Sequence, residues 1–392
     1  MASSEKFKLS KVLTISFAHF AHDIYTAFLA PVLPLLIKTY SLTYTQAGLL
    51  NIVRGFPSLF NPLIGAYIDR LGGRKIIIFA PAVSAVSMTL IGVSPSFGIL
   101  LILLFIAGVN STFFHVPSPV IMKQFSGKKS GLGMSFFMLG GETARTLGPI
   151  IALAAVSLWG IEGLWKLIPF GILSSLFLYW RLKNVQVKGL SHNKKEKELT
   201  SIKTILRKVR KFFALLTLFL IFRSTVKTAL TFYLPTFLKE QGESLWLAGI
   251  SLSVVELAGM AGTFFGGYIS DKIGRKNTML IASLLTPVAM FLFLQAVTYL
   301  KFVLLVILGL ALFSTGSVML AFVHDIKTDR PAFVNSLYMV AAFTTSTIST
   351  FGIGKIADMV GLEQTFYYTA FISILSIPVV LLFNENKDYT HS

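Results

Sequence analysis

The chain has 392 residues, of which 54% are hydrophobic and 13% charged, and its mean hydropathy is +0.74. A soluble domain usually carries about 25% charged residues, so this composition excludes an ordinary soluble protein and predicts a membrane protein. The formal net charge of +18 could indicate nucleic acid, but the basic residues lie between apolar runs, so we expect no nucleic-acid partner. The absence of cysteine excludes disulfide and thiolate chemistry.

Twelve apolar runs are long enough to cross a bilayer, which takes about 20 residues each. The first ten residues resemble a retained cytoplasmic tail more than a cleaved signal peptide. The one long gap splits the chain six plus six, and we predict an all-α membrane protein with an N-terminal six-helix bundle (1–183), a cytoplasmic linker (184–210) and a C-terminal six-helix bundle (211–392). The predicted spans are 11–37, 44–68, 75–94, 97–122, 131–158, 163–182, 211–238, 245–270, 277–297, 301–324, 331–356 and 363–383.

The linker and the loops indicate how the chain lies in the membrane. Ile202, Ile205, Leu206 and Val209 share one helical face, which predicts a short amphipathic helix on the inner membrane surface. Most Lys and Arg residues outside the spans lie in connections on the side of both termini, so we expect both termini in the cytoplasm and the protein in the inner (cytoplasmic) membrane.

A repeated stretch follows spans two and eight. The segment that begins at Gly65 and runs through Asp69-Arg70 to Arg74-Lys75 returns from Gly267 to Lys276, and subtraction of residue numbers gives an offset of 202 between the two glycines. A repeat at about half the chain length is typical of a duplicated membrane transporter.

Span one carries His19, His22 and Asp23 at membrane depth, where ionisable groups are costly unless they serve a function. His19 and Asp23 are one helical turn apart and share a face. A partly buried carboxylate next to a histidine can exchange a proton with it, so Asp23 with His19 is the predicted proton carrier; a plain ion pair of Asp23 with a cation is the alternative. We expect no metal site, because no second histidine cluster completes a ligand shell.

Spans two, four and eight hold further candidates. Arg54 and Glu256 are related by the same offset of 202, which places opposite charges at equivalent depth in the two halves. His115 precedes Pro117 and Pro119, which should bend span four. His115 either donates a hydrogen bond to a backbone carbonyl that the prolines leave without an N–H partner, or it contacts substrate.

Spans five and seven hold the remaining charges. Glu142 and Arg145 are three residues apart and either pair along the helix or serve in proton coupling (Glu142) and substrate binding (Arg145). Arg223 and Lys227 are two cations one turn apart, and an anion between them would relieve their repulsion; the alternative is that both snorkel to an interface. With Arg54 and His115 as further contacts, the excess of cations predicts a substrate with at least one negative charge.

The repeated stretch resembles the signature loop of the major facilitator superfamily. The resemblance implies two six-helix bundles that rock about a central site, and it implies an inner-side gate formed by Asp69, Arg70, Arg74, Asp271, Arg275 and Glu256. The same resemblance predicts an ion pair of Arg145 with Glu256 that latches the two halves in one state. A monomer and a small-molecule substrate are expected, in addition to protons and the lipid bilayer.

Three segments are also similar to the fosmidomycin-resistance family of efflux proteins. They are His19-x-x-x-Asp23 in span one, Phe114-His115-x-Pro in span four, and Gly140-Gly141 followed by Leu147-Gly148-Pro149 in span five. This resemblance implies proton-driven export, and fosmidomycin is a phosphonate, which fits a cationic site.

Other functions stay open at this point. An importer or exchanger of organophosphate or carboxylate anions, or a multidrug exporter of cations, would use the same fold. A non-transporting receptor would predict a soluble output domain, and an enzyme would need a nucleophile–base or metal constellation; we find neither. No phosphate-binding Gly-x-x-x-x-Gly-Lys loop occurs, so neither ATP nor another cofactor is expected.

Overall fold

The structure, a computed structural model, describes residues 7–61, 73–185, 202–326, 328 and 331–383, and these residues form helices joined by short turns. Short 3₁₀ segments are formed by Phe56–Phe60, Leu90–Val93, Gly127–Lys129 and Ile161–Leu167, and a π-helix by Ala229–Tyr233. The helices are α1 (Leu9–Thr26), α2 (Leu29–Tyr40), α3 (Tyr44–Gly55), α4 (Arg74–Thr89), α5 (Phe97–His115), α6 (Ser118–Ser126), α7 (Ser130–Trp159), α8 (Ile168–Leu182), α9 (Ile202–Thr228), α10 (Leu234–Glu240), α11 (Leu245–Ile273), α12 (Arg275–Gln295), α13 (Thr298–His324), α14 (Pro331–Val360), α15 (Leu362–Ile374) and α16 (Ser376–Leu381).

Ten helical stretches among the described residues are long and apolar enough to cross a membrane. One of them, Phe97–Trp159, has 63 residues and would be about 95 Å long as one helix, so it holds two spans, which separate where Gly127 adopts a φ of 52°. The predicted second span begins with α3 and continues past residue 61, outside the described residues. The predicted all-α, twelve-span fold is confirmed.

Prolines determine where two of the spans break. Pro31 has no N–H to donate to the carbonyl of Ala27. Helix α1 ends at Thr26, one residue before Ala27. Pro117 and Pro119 end α5 at His115, as the sequence predicted, and α6 begins at Ser118. Both breaks lie beside the ionisable residues of their spans, so these side chains sit next to helix ends.

Span five remains one helix. Helix α7 runs without a break from Ser130 to Trp159, although a proline inside a helix, here Pro149, usually bends or breaks it. A Cβ on Gly148 would lie 2.6 Å from the Cβ of Ala27, at the end of α1. Because glycine has no side chain, α7 can approach span one closely at Gly148.

The described residues divide into two compact units. Those within Met1–Leu42, Leu49–His192 and Leu238–Ser253 form the first, and those within Thr43–Gly48, Asn193–Phe237 and Val254–Ser392 form the second. The first unit packs α1 on α7, α4 on α8 and α4 on α5. The second repeats these pairs as α9 on α14, α12 on α15 and α12 on α13. The duplication predicted from the repeated loop therefore extends to the helix packing within each unit.

The predicted linker helix is the beginning of span seven. Helix α9 starts at Ile202 and continues without interruption to Thr228, and Ile205 and Val209 are buried against Phe212 in the core of the second unit. Ile205 and Val209 of the predicted amphipathic face therefore pack against protein, while Leu206 is exposed, and the continuous helix corrects the separate surface helix and the linker boundary at residue 210. Residues 186–201 of the predicted linker lie outside the described residues.

Within the second unit, Asp358 of α14 holds the first turn of α3. Its carboxylate accepts hydrogen bonds from the N–H groups of Tyr44 (2.6 Å) and Thr45 (3.1 Å) and from the Thr45 hydroxyl (2.5 Å). The Tyr233 hydroxyl, at the end of the π-helix, donates to the Tyr44 carbonyl. A carboxylate placed in this way satisfies N–H groups that have no partner inside the helix.

We predict that Asp358→Ala destabilises the protein by about 1 kcal/mol, the usual cost of a lost helix cap, and lowers its melting temperature by a few degrees. Glu162→Ala, which removes an exposed carboxylate, is the matched control and should leave the melting temperature unchanged. Equal melting temperatures for both variants in detergent would contradict a capping role of Asp358.

Candidate functional site

Helix α1 buries three ionisable side chains in the first unit. His22 is fully buried, and His19 and Asp23 are 5% and 6% exposed. A buried charge is stable only where other groups compensate it. The surroundings of these side chains therefore decide what they can do.

The backbone of α7 fixes the tautomer of His19. Its Nδ1 lies 2.7 Å from the carbonyl oxygen of Phe137, and a carbonyl can only accept, so Nδ1 carries a proton and donates it. The Nε2 atom faces the Asp23 carboxylate, 3.2 Å from Oδ2. In a neutral His19 with the proton on Nδ1, Nε2 is an acceptor. Two acceptors would then face each other, so this geometry needs one further proton, on either His19 or Asp23.

Small residues of α7 make room for this pair. A Cβ on Gly141 would lie 2.6 Å from His19 Nε2, and a Cβ on Gly140 would collide with the Ser16 carbonyl. The Phe137 ring stacks on the imidazole of His19 with centroids 4.0 Å apart. The Gly140-Gly141 dipeptide singled out in the sequence thus allows α1 and α7 to approach at His19.

His115, at the end of α5, is a third member of the site. Its Nε2 lies 3.2 Å from Asp23 Oδ1, and its side chain is 40% exposed while that of Asp23 is 8% exposed. The sequence predicted a carbonyl or substrate contact for His115 and missed its approach to Asp23. The only available signal was its position before two prolines, which did not indicate which helix it faces.

His19, Asp23 and His115 also offer three ligand atoms within 4.8 Å of one another. Nitrogen and carboxylate ligands suit several transition metals. The expectation of no metal site assumed that no other histidine completes the cluster, and His115 removes that argument.

Arg54 lies close to the end of α1 that carries Asp23. Its Nη1 donates to the Thr26 carbonyl (3.0 Å) and its Nη2 to Asn51 Oδ1 (3.1 Å), and the guanidinium interacts electrostatically with Asp23. Arg54 therefore places positive charge near the carboxylate. The predicted role of Arg54 in substrate binding stays a prediction.

Glu142 and Arg145 form an ion pair along α7. This is the structural alternative given by the sequence, and the proposed proton-coupling role of Glu142 and substrate contact of Arg145 stay predictions. Arg145 lies in the first unit and Glu256 in the second. The latch between them likewise stays a prediction, which a charge-swap double mutant tests.

Arg223 in the second unit binds polar atoms of α13. Its Nε and Nη2 donate to the Leu312 carbonyl (3.1 and 2.6 Å), and Nε also contacts the Thr315 hydroxyl. Among the described residues no carboxylate lies within ion-pair distance of Arg223. Its charge is therefore held by dipoles, which suits the binding of an anion.

Two neighbours of Arg223 complete this cationic region. The Lys227 ammonium lies 4.8 Å from the centre of the Phe313 ring, within cation–π range. The Tyr338 side chain on α14 interacts electrostatically with the Arg223 guanidinium. Arg223, Lys227 and Tyr338 thus combine two cations with a phenol.

The predicted gate residues form helix-end contacts where the structure describes them. Arg275 pairs with Asp271 (2.5 Å) and with Asp325 (3.5 Å), at the end of α13. Arg74 donates to the carbonyls of Lys183 and Val185, after α8. Asp69 and Arg70 lie outside the described residues.

The first copy of the repeated loop has two glycines, Gly72-Gly73, where the second has only Gly274, and this changes which basic residues correspond. Lys276 donates to the Leu381 carbonyl at the end of α16, as Arg74 does to the carbonyls after α8. Arg74 and Lys276 are separated by 202 positions, the offset of the two loops. Arg74 is therefore the counterpart of Lys276 rather than of Arg275.

A duplicated set of membrane-spanning helices with ionisable side chains buried inside its spans is typical of a membrane transport protein. The sequence profile of the Major Facilitator Superfamily matches residues 15–350 and 255–391, and the chain belongs to this superfamily. It is therefore a transporter and not an enzyme, as the sequence predicted.

Curated relatives cover nearly the whole chain. The chain is 27% identical over 388 residues to the fosmidomycin resistance protein of Escherichia coli (strain K12), which covers 95% of this chain and 93% of that protein. It is also 27% identical to the uncharacterized transporter YfnC of Bacillus subtilis (strain 168), with 96% and 93% covered. The multidrug resistance protein MdtG of Enterobacter lignolyticus (strain SCF1) is 24% identical over 67% of this chain and 64% of that protein.

Solved structures share the fold at low identity. A bacterial homolog of the human lysosomal transporter Spinster, inward-facing and occupied, matches with a TM-score of 0.79 and 17% identity over 96% of both chains. A D-xylose–proton symporter matches with a TM-score of 0.74 and 15% identity over 98% of this chain and 99% of that chain. Both likenesses support the twelve-helix fold.

We predict that Gly141→Ala displaces the His19 ring, because the added methyl group would overlap it. The displaced ring would lose its hydrogen bond to the Phe137 carbonyl and its contact with Asp23, and each lost hydrogen bond costs about 1 kcal/mol, so transport should fall about tenfold or more. Gly131→Ala on the same helix is the control, since a Cβ there meets nothing within 4 Å. Equal transport by the two variants in proteoliposomes would show that His19 needs no such room.

Proposed function

We propose that the chain is a proton-coupled antiporter that exports a small anionic or amphiphilic compound, such as a phosphonate, by alternating access. We further propose that it acts as a monomer in the inner membrane with both termini in the cytoplasm. The observation that carries the proposal is the acceptor-to-acceptor geometry of His19 and Asp23, which needs a proton. A buried site that holds one exchangeable proton is what coupling to a proton gradient requires.

His115 supplies the path for that proton. It contacts Asp23 at 3.2 Å and is the most exposed of the three side chains. A histidine takes up and releases protons near neutral pH. We therefore assign it the transfer between Asp23 and water, with His19 and Asp23 as the place where the proton stays.

Coupling requires that proton and substrate alternate. A ligand shifts a conformational equilibrium only through its different affinities for the two states. In the proposed cycle the substrate binds when the His19–Asp23 pair has lost its proton, and proton uptake returns the carrier after release. Export driven by an inward proton gradient then follows from mass action.

The cations of the second unit support an anionic substrate. Arg223 carries a full charge that only dipoles compensate among the described residues, and Lys227 is one turn away on the same span. Guanidinium groups bind phosphonate and carboxylate oxygens through paired hydrogen bonds. The name of the Escherichia coli relative, a fosmidomycin resistance protein, agrees with this substrate class.

A multidrug exporter of cations is the second candidate, because the MdtG relatives are named multidrug resistance proteins. In that case Asp23 and Glu142 would bind the substrate. An importer or exchanger of organophosphate or carboxylate anions would instead show counterflow but no export driven by a proton gradient in the wild-type protein. The two experiments below separate these functions.

We predict that Asp23→Asn abolishes export driven by a proton gradient in proteoliposomes, because the amide cannot carry the proton. Counterflow of the same substrate without a gradient should persist, which shows that the variant is folded. Glu363→Gln, at an exposed carboxylate, is the control, and a chelator in all samples removes any bound metal. Gradient-driven export that survives in Asp23→Asn would refute the assignment.

We predict that phosphonates raise the melting temperature of the purified protein and that this stabilisation disappears in Arg223→Ala. Binding at 100 times the dissociation constant stabilises the folded state by about 2.7 kcal/mol, a readily measured shift. Lys239→Ala, at the exposed end of the same span, should keep the effect. Stabilisation by lipophilic cations alone would favour the multidrug exporter and overturn the anionic site.

A further inference from the structure

A polar network behind Asp23 involves residues to which neither the sequence nor the relatives assign a role. The Asn110 side-chain nitrogen donates to the Ala80 carbonyl (3.0 Å) and to the Ser84 hydroxyl (2.9 Å). The Ser84 oxygen lies 2.7 Å from Nδ1 of His22. Asn110 is on α5, Ser84 on α4 and His22 on α1, so the network joins three helices inside the first unit.

The order of donors in this network fixes the tautomer of His22. The carbonyl contact identifies the nitrogen of the Asn110 amide, and both of its hydrogens are used. Ser84 accepts one of them, and its own hydrogen has no other acceptor among the described residues, so Ser84 donates it to His22 Nδ1, which also lies 3.5 Å from the Asn110 nitrogen. Nδ1 is therefore an acceptor, and the neutral ring carries its proton on Nε2.

The Nε2 atom of His22, which carries this proton, lies near Asp23 but makes no hydrogen bond with it. His22 is fully buried, and its Nε2 makes no hydrogen bond among the described residues. The Asp23 Oδ1 atom lies 3.7 Å away, beyond hydrogen-bond distance, and its contact with His115 Nε2 at 3.2 Å is not a well-aligned hydrogen bond. A buried donor and a buried acceptor that face each other without bonding are costly, so another state should use them.

We propose that Ser84 and Asn110 hold His22 as a donor that receives the Asp23 carboxylate once its proton has left. Deprotonation leaves the carboxylate opposite the acceptor Nε2 of His19, and a small rotation about the Asp23 side chain brings Oδ1 to the His22 N–H instead. His22 is thus a positioning residue that stabilises the proton-free form. The inference rests on the proposed proton exchange at Asp23.

The other charged groups around Asp23 do not replace this donor. His19 lies on the same helix and already donates to Phe137, and Arg54 donates to Thr26 and Asn51. His115 faces Oδ1 from α5, but in the described part of the chain its Nδ1 makes no hydrogen bond, so its tautomer is not fixed. Among the described histidines around Asp23, only His22 is buried with a fixed N–H that faces the carboxylate and has no other acceptor.

The test is nuclear magnetic resonance of the full-length protein labelled with ¹⁵N-histidine, titrated with pH in nanodiscs without substrate. The His22 signals, assigned by their loss in His22→Ala, should show the Nε2-protonated tautomer in the wild type and a mixture of tautomers in Ser84→Ala. The pH at which the His19 signals report proton loss should rise by about one unit in both variants, because the proton-free form loses its donor.

Two further variants make the result specific. Ser87→Ala removes a buried hydroxyl that bonds only within α4, and it should change neither readout. His22→Gln, whose amide can donate from about the same place as Nε2, should recover most of the pH shift seen in His22→Ala. A wild-type His22 protonated on Nδ1, or a Ser84→Ala titration identical to that of the wild type, would overturn the inference.

Failure of the proposed function gives a different pattern. If Asp23→Asn still exports with the gradient while the His22 readouts behave as expected, the donor arrangement holds and the coupling assignment falls. If gradient-driven export is lost in Asp23→Asn but the His22 readouts are unaffected by Ser84→Ala, the coupling assignment holds and the role of His22 falls.

Discussion

The hydrogen bond from His19 Nδ1 to the Phe137 carbonyl is the interaction on which the rest of the site depends. A carbonyl can only accept a hydrogen bond, whatever the pH. The bond therefore keeps the proton on Nδ1 and turns Nε2 towards Asp23. Without it, a rotated imidazole could present an N–H to the carboxylate and form an ordinary hydrogen bond. With this hydrogen bond, His19 Nε2 and the Asp23 carboxylate share one exchangeable proton, because no N–H of His19 faces the carboxylate in its place.

Helix breaks and small residues bring the members of this site together. Pro31 ends α1 soon after Asp23, and Pro117 ends α5 at His115, so the carboxylate and the exposed histidine lie at helix ends. Gly141 lets α7 approach His19 closely. The Thr26 carbonyl, which lies at the end of α1, accepts a hydrogen bond from Arg54.

The fold could be predicted from the sequence because it depends on local patterns. Apolar runs, the repeated loop and the prolines of span four indicated the helices, the duplication and the end of α5. The pairing of His19 with Asp23 also followed, since it needs only helical spacing. His115, Ser84 and Asn110 lie on other helices, and which of their faces meets α1 depends on rotation and packing that a single sequence does not encode. The linker helix was misplaced for a related reason: an amphipathic face fits a membrane surface and a protein core equally well, and Ile205 and Val209 pack in a core.

The central claim is that the site holds one proton which substrate binding displaces. The direct measurement is proton release when a phosphonate is added to purified protein in weakly buffered detergent solution, followed with a pH-sensitive dye. The account predicts release of about one proton per protein near neutral pH and no release from Asp23→Asn. By linkage, the affinity for the phosphonate should then fall as the proton concentration rises. Phosphonate binding without proton release in the wild type, or equal release from Asp23→Asn, would contradict it.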